Sequence, residues 1–284
     1  MQGWALLNQP ANRDRFREAS NLFEVGLKAD KELVTALVGL ATILLMNADR
    51  GWSDAPDRDV DRAKELITKT LALDPKMGSA HRVKAWVLGY RYQLQEAIVA
   101  AETAIALNRN DSFAHRLLAL YELQSGHPER SRAVIEQEMR LSPRDPNHWS
   151  SLSILARAQI ALRESEAALT NLRRAIALNP DVNFIRLHLA PAYGRMGRDK
   201  KAREAIAEFL RMNPDLTTGQ PEAVKTVIRS QLELSARGYY LGTIDGRIGP
   251  FVQRALVEFQ HDQYIPESGE LDGATLAKLG IAPT

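Results

Sequence analysis

The sequence predicts an all-α protein in two parts, a solenoid of stacked helix pairs over residues 1–216 and a small three-helix unit over residues 221–284. Proline or its substitute recurs at Lys31, Pro75, Arg109, Pro143, Pro180 and Pro214, in steps of 44, 34, 34, 37 and 34 residues. A fixed period of this size is the mark of a repeated supersecondary unit. Aromatic residues make up only 6% of the chain, while Ala and Leu, both strong helix formers, are abundant. Past Pro214 the period stops, and Gly238, Gly242, Gly246 and Gly249 punctuate the remaining C-terminal segment.

The first period opens with Gly3-Trp4 and continues through Ala19, Phe23 and Leu27; Trp4 and Trp149 both stand near the start of a first helix. The long apolar stretch from Val34 to Met46 is the first helix of the second period. The 44-residue step carries roughly ten extra residues, Asn47 to Arg58, whose Gly51, Trp52, Ser53 and Pro56 suit a loop, because Gly and Pro punctuate helices. The third period ends with Ala97, Ala101 and Ala104, and the fourth with Ser131, Ile135 and Glu138, a departure where Ala is expected. The fifth ends with Ala168, Leu172, Ala175 and Pro180; its three extra residues are expected around Ala161 to Ser165. In the sixth, Ala190, Tyr193, Gly197, Ala202, Ile206 and Pro214 fill the small, aromatic, turn, small, apolar and proline positions in order. Pro191 lies inside a first helix, where its missing N–H and its ring predict a kink.

These residues at this spacing resemble the tetratricopeptide repeat, as about six copies across residues 1–216. The resemblance implies a concave groove lined by the first helices, a place for a protein or peptide ligand. Carried over position by position, it places Arg82, Trp86 and Tyr90 toward the groove, then Phe113, Arg116, Leu120 and Gln124. Asn147, Ile154 and Arg157 come next, then Phe184, Leu187 and Arg195. Arginine pairs in fork fashion with carboxylates, so an acidic ligand or a terminal carboxylate is one expectation. For Arg82 and Arg116 the other is a solvated side chain or a pair with a neighbouring acid.

In the last part, Pro221 to Ala236 reads as a helix with Val224, Val227, Ile228, Leu232 and Leu234 largely on one side, ended by Gly238. A loop through Tyr239-Tyr240, Asp245-Gly246 and Gly249-Pro250 leads to helices at Phe251–Gln260 and Ala274–Leu279. Gln231-Leu232, Gly238-Tyr239-Tyr240, Ile244-Asp245-Gly246, Gly249-Pro250, Phe259-Gln260 and Leu271-Asp272 with Thr275 together resemble the small helical peptidoglycan-binding domain of bacterial cell-wall hydrolases. The resemblance implies wall binding through Tyr239, Tyr240, Asp245, Arg247 and Gln260. Each has a structural alternative: Asp245 as a turn residue, one Tyr in the core, Gln260 satisfying backbone groups. Val252 stands where that family carries Thr.

Composition and motifs narrow the function classes. The 284 residues are 45% hydrophobic and 25% charged, with a net charge of +2. Residues 217–284 hold six Lys and Arg against eight Asp and Glu, and no basic stripe or helix-turn-helix signature marks a nucleic-acid binder. The six His include no H-E-x-x-H and no pair at zinc-ligand spacing, so neither a metal nor another cofactor is expected. His81 and His115, 34 residues apart in matching positions, are packing residues or spatial neighbours. With no Cys, no G-x-S-x-G and no phosphate loop, catalytic residues are not expected. The sequon at Asn110-Asp111-Ser112 reads as a chance match. No run approaches the ~18 apolar residues of a membrane span. Met1 to Phe16 lacks the basic patch and apolar core of about 7 to 15 residues that make a secretory signal.

Two functional expectations result. One is a non-catalytic adaptor whose repeats hold a partner while the end unit engages peptidoglycan or another cell-envelope ligand, in an exported parent protein. The other follows from a resemblance of the repeat region, from Gly3-Trp4 through Ala19, Phe23 and Leu27, to those that follow nucleotide cyclase or transcriptional-regulator domains: it implies the C-terminal regulatory part of a larger cytoplasmic bacterial protein, whose end unit makes protein contacts or caps the solenoid. The near absence of lead-in before the first repeat is the expectation for a piece of a longer polypeptide. Oligomeric state is left open.

Overall fold

The computed structural model describes residues 2–7 and 12–282, and every regular element among them is a helix. The chain forms two compact units, Met1–Tyr121 and Glu122–Thr284. The boundary falls far from the 216–221 linker because the end unit packs onto the last repeats and shares a core with them.

In the first unit, α1 (Gln2–Leu7) and α2 (Arg13–Ala29) are followed by the hairpins α3 (Val34–Asp49) with α4 (Pro56–Leu73) and α5 (Gly78–Tyr90) with α6 (Leu94–Leu107); α7 (Ser112–Gln124) ends the series. Short connections force neighbouring helices antiparallel. The small residues expected at helix crossings are fully buried, including Ala19, Ala97, Ala101 and Ala104. Gly39 and Gly89 serve closer approaches: a Cβ would fall 2.4 Å from the Phe23 ring at the first and 2.3 Å from the Tyr121 ring at the second. The insertion is narrower than expected. Helix α3 runs to Asp49 and Pro56 opens α4, so the loop proper is 50–55, tied down by Ser53 Oγ donating to Asp59 at 2.6 Å.

Matching histidines do matching work. His81 donates to the Pro75 carbonyl at 2.9 Å and His115 to that of Arg109 at 3.1 Å. Each ties its helix to the loop six residues earlier, so the pair is structural.

In the second unit, α8 (Pro128–Leu141), α9 (His148–Ala161) and α10 (Ser165–Leu178) lead to α11 (Phe184–Leu187) and α12 (Leu189–Gly194), then α13 (Asp199–Met212). Pro191 accounts for the division of α11 from α12 at His188: it has no N–H to offer the Leu187 carbonyl. The extra residues of the 37-residue step are not around Ala161–Ser165. The turn there spans three residues, 162–164, as at 91–93, whereas the connection 142–147 has six residues against four at 108–111, and α9 is one residue longer than α7. Ser131 and Glu138, the departures from Ala, are buried in the small-residue positions all the same.

The end unit comprises α14 (Glu222–Ala236), α15 (Pro250–Asp262) and α16 (Gly273–Leu279), with Gly238 at φ +86° just past α14. Its core is continuous with that of the repeats. Ile228, Leu234, Leu256 and Phe259 share one cluster with Leu187 and Phe209, joined by Ile206 and Leu216. Leu241 enters a second cluster with Leu152, Ala156, Leu172 and Ile185. Gly194 lies so close to α14 that a Cβ there would meet the Ala236 carbonyl at 2.4 Å.

At the α11–α12 break, His188 is 2% exposed, with Nδ1 3.3 Å from Ser153 Oγ. Burial, and then the nearby Arg157 cation, hold its pKa well below the usual histidine value.

This packing has two measurable consequences. Removal of residues 221–284 exposes Leu187, Phe209 and the surface that Leu241 covers, so residues 1–216 melt at a lower temperature than the whole chain; an unchanged melting temperature contradicts it. A histidine whose folded pKa is depressed contributes stability at neutral pH that is lost as pH falls below about 6.5, where the unfolded chain takes up a proton that the fold refuses. Urea denaturation at pH 7.5 and pH 5 should show a smaller fall in stability for His188→Gln than for the parent chain.

Candidate functional site

In the first unit, four of the expected groove residues come together on α5 and α7. The Trp86 and Phe113 rings meet edge to face with centroids 4.9 Å apart. The Arg82 guanidinium lies 5.5 Å and that of Arg116 5.9 Å from the Phe113 ring. Tyr90, farther along α5, is half-buried. Arg82 is not a free cation: its Nη1 bonds both oxygens of Asp111, at 3.0 and 3.2 Å. Asp111 itself is buried, so this arginine braces adjacent repeats rather than waiting for an acidic ligand.

Asp49 is a member of this surface that sequence reasoning missed. Its Oδ2 accepts from Trp86 Nε1 at 2.9 Å. The protein around it raises its pKa to about 6 by desolvation, against the pull of the Trp86 hydrogen bond and of Arg50. The residue also meets solvent, which tempers that rise. Repeat spacing assigns it to the inserted loop, whereas it is the last residue of α3. The loop itself carries Trp52 onto Phe16, with ring centroids 5.6 Å apart, beside a cavity of about 450 Å³ that Arg13, Ser20, Asn21 and Asn47 also line.

In the second unit, the end module already holds most of the expected groove residues. Arg157 is 6% exposed; its Nε donates to the Leu241 carbonyl at 2.7 Å, and the guanidinium lies 5.7 Å from the Phe251 ring. Burial lowers its pKa to about 10. Arg195 makes a two-point pair with Glu258, at 2.6 and 3.0 Å, and Arg163 adds a contact to the same carboxylate at 3.3 Å. The Gln124 carbonyl accepts from Arg254. Expected to face a ligand, the Arg157 and Arg195 side chains face α15 and the loop before it instead, while Gln124 meets α15 through its main chain. Asn147 and Phe184 remain exposed, Phe184 packing edge-on to Trp149 at 6.1 Å.

Of the five residues expected to bind the wall, two brace loops. Gln260 is fully buried. Its oxygen accepts from the Gly269 N–H at 2.8 Å, and its amide donates to the Glu270 carbonyl at 3.0 Å and to Thr275 at 2.9 Å. Tyr240 is 3% exposed and donates to the Thr243 carbonyl at 2.6 Å. Gln231 closes the other loop in the same manner, accepting from the Asp245 and Gly246 N–H groups at 3.1 and 3.0 Å. Val252 has joined the core at 2% exposure, which explains an apolar residue at that position.

The other three reach the surface. Tyr239 is half-buried and donates to Asp262 at 2.9 Å; burial, and then that carboxylate, push the phenol up to about 12. Asp245 is exposed and anchors its turn by accepting from the Arg247 N–H at 3.0 Å, with Arg247 itself half-buried. The structure adds two exposed residues at opposite ends of α15, Ile248 before it at 48% and Tyr264 after it at 96%. Tyr264 follows α15 at φ +55°. A lone Tyr just past a helix end, outside the apolar period, is the signal the sequence holds for it. A cavity of about 400 Å³ beside Tyr239 is lined by Asp199, Arg203, Arg237 and Gln263.

Among the described residues no group of three metal-ligating side chains comes together, and no helix is long and apolar enough to cross a membrane.

Comparison with known proteins gives each half a relative. Residues 224–279 match the family model described as "Putative peptidoglycan binding domain". Over 194 residues the chain is 23% identical to Superkiller protein 3 of Schizosaccharomyces pombe, a match covering 66% of this chain but only 14% of that protein. The solved APC/C hetero-tetramer Cut9-Hcn1 superposes with a TM-score of 0.61 at 16% identity, over 71% of this chain and 38% of that one. A tetratricopeptide repeat protein from Parabacteroides merdae gives 0.51 at 13% identity, over 98% and 94%. The chain thus spans less than two thirds of the first two, and likeness at these identities is one of fold. Its fold is the tetratricopeptide solenoid, and it ends in a module that matches the peptidoglycan-binding family.

Proposed function

We propose that this is a non-catalytic binding protein. Its repeats, residues 1–216, hold a protein or peptide partner, and its module, residues 221–284, engages peptidoglycan or another cell-envelope ligand. The observation that carries this reading is the family match at 224–279 on a module whose loops are braced from within by Gln231 and Gln260. Such a module has a formed framework on which surface residues can meet a polymer. Tyr239, Asp245, Arg247 and Tyr264 are the contact residues we assign; Tyr240 and Gln260 hold the loops that present them. An aromatic face in water, as at Tyr264, offers a surface on which the apolar face of a sugar can stack.

On the repeats, the exposed Asp49 and the half-buried Phe113, set over the buried Trp86 and Arg116, are the partner-binding candidate in the first unit. What it offers outward is the Phe113 ring and the Asp49 carboxylate, with Arg82 paired to Asp111 and Arg116 buried, so it suits a ligand bringing apolar groups and a hydrogen-bond donor for Asp49. Nucleic acid is outside this reading, since a net charge of +2 supplies no phosphate-tracking field.

The packing of Leu187 and Phe209 into the module core favours a second reading, in which the module is chiefly a solenoid cap.

Co-sedimentation with insoluble peptidoglycan sacculi separates the two. The parent chain should sediment, and Tyr264→Asn together with Arg247→Ala should lower retention about tenfold, equivalent to roughly 1.4 kcal/mol, with an unchanged circular dichroism spectrum. Asn tolerates the left-handed backbone at position 264. Failure of the folded parent chain to sediment leaves the cap reading. Tyr240→Ala is unsuitable as a probe because it opens the core.

A further inference from the structure

A cap needs to touch only the last helix pair. The module does that through Leu187, Ile206 and Phe209, yet its polar contacts run further, to Arg195 just past α12 and to Arg157 on α9, the first helix of the preceding repeat, with a main-chain contact at Gln124 beyond it. First helices line the inner face of such a solenoid, and a row of contacts across several of them is how that face holds a ligand. The chemistry is that of recognition as well. A forked guanidinium meets a carboxylate at two points. A buried guanidinium takes a carbonyl. The Phe251 ring has the Arg157 guanidinium at 5.7 Å and that of Arg254 at 5.9 Å.

We infer that the inner face of repeats five and six is a binding face whose resident ligand is the chain's own C-terminal module, presented chiefly by α15. Phe251 and Glu258 are seven residues apart on that helix, so they share one side of it. An outside partner for this face is therefore a helix that offers an aromatic residue and, two turns on, a carboxylate, and it binds only when the module has left. This rests on the repeat half of the proposed function and is independent of wall binding.

The full-length chain tests it, with a fluorescent synthetic peptide of residues 249–262 as the probe and anisotropy as the readout. The parent chain should leave the probe free. Glu258→Lys, which sets a cation against Arg195 and Arg163, and Arg195→Glu, which sets two carboxylates together, should each release the module. Glu258→Lys should then bind the probe at least about tenfold more tightly than the parent chain does. Arg195→Glu should release the module without gaining the probe, because it removes the fork. Greater susceptibility of the 213–221 connection to protease reads release in both variants. The double variant Glu258→Lys, Arg195→Glu should restore the parent's resistance and exclude the probe. If a single variant fails to fold, the double variant decides: closed and probe-free, it supports the inference; open or unfolded, it overturns it. Equal probe binding by the parent chain and a folded Glu258→Lys also overturns it, whatever the result with sacculi.

Discussion

A helix pair in a solenoid buries its apolar side only against the next pair, so the series must end on something that is not another repeat. In the second unit that constraint is met by the C-terminal module. Phe209 and Leu187 pass without a break into the core built by Ile228, Leu234 and Phe259. The close approach at Gly194, where a side chain would strike the α14 backbone, shows how closely the surfaces fit. The end of the array is thus covered by a folded unit in place of a helix with a polar outer face.

Covering an end does not require polar groups to be buried, yet the contact buries several. Removing an arginine from water is costly unless its donors are met. Arg157 has been withdrawn almost completely, with a backbone carbonyl for one donor and an aromatic ring beside it. That environment lowers its pKa and also suppresses protonation of His188 nearby. A hydrophobic seam alone would be indifferent to small slips of α15, whereas the Arg195–Glu258 fork and the Leu241 carbonyl fix its register. Specificity of docking is the role these groups fill best.

The architecture is legible in the sequence because a 34-residue period and turn glycines are local signals. Small residues at helix crossings, the Pro191 kink and the three module helices can all be read in this way. Site residues are less legible, because what decides them is not local. Gln260 and Tyr240 belong to the same motif as Tyr239 and Asp245, and only packing separates the pair that braces loops from the pair that meets water. The arginines at positions 82, 157 and 195 look alike in sequence, as groove cations. Their partners, Asp111 for the first, the Leu241 carbonyl for the second and Glu258 for the third, lie 29, 84 and 63 residues away. Asp49 is hidden by a boundary error of a few residues, the least reliable part of any helix assignment.

An intramolecular ligand changes how a binding face behaves. Tethered by the short 213–221 connection, the module is present at an effective concentration that short flexible linkers place in the millimolar range. Even a weak intrinsic contact then keeps the face occupied most of the time. The apparent affinity of an outside partner falls by the fraction of molecules in which the face is open. Because linkage is reciprocal, anything that binds the undocked module better than the docked one makes the repeats more receptive by the same factor. If the module's surface residues engage a polymer in a way that competes with docking, wall binding and partner binding are coupled. If they engage it through groups that docking leaves in water, such as Tyr264, the two bind independently and the protein is a plain tether. The difference is set by which groups of the module meet the polymer.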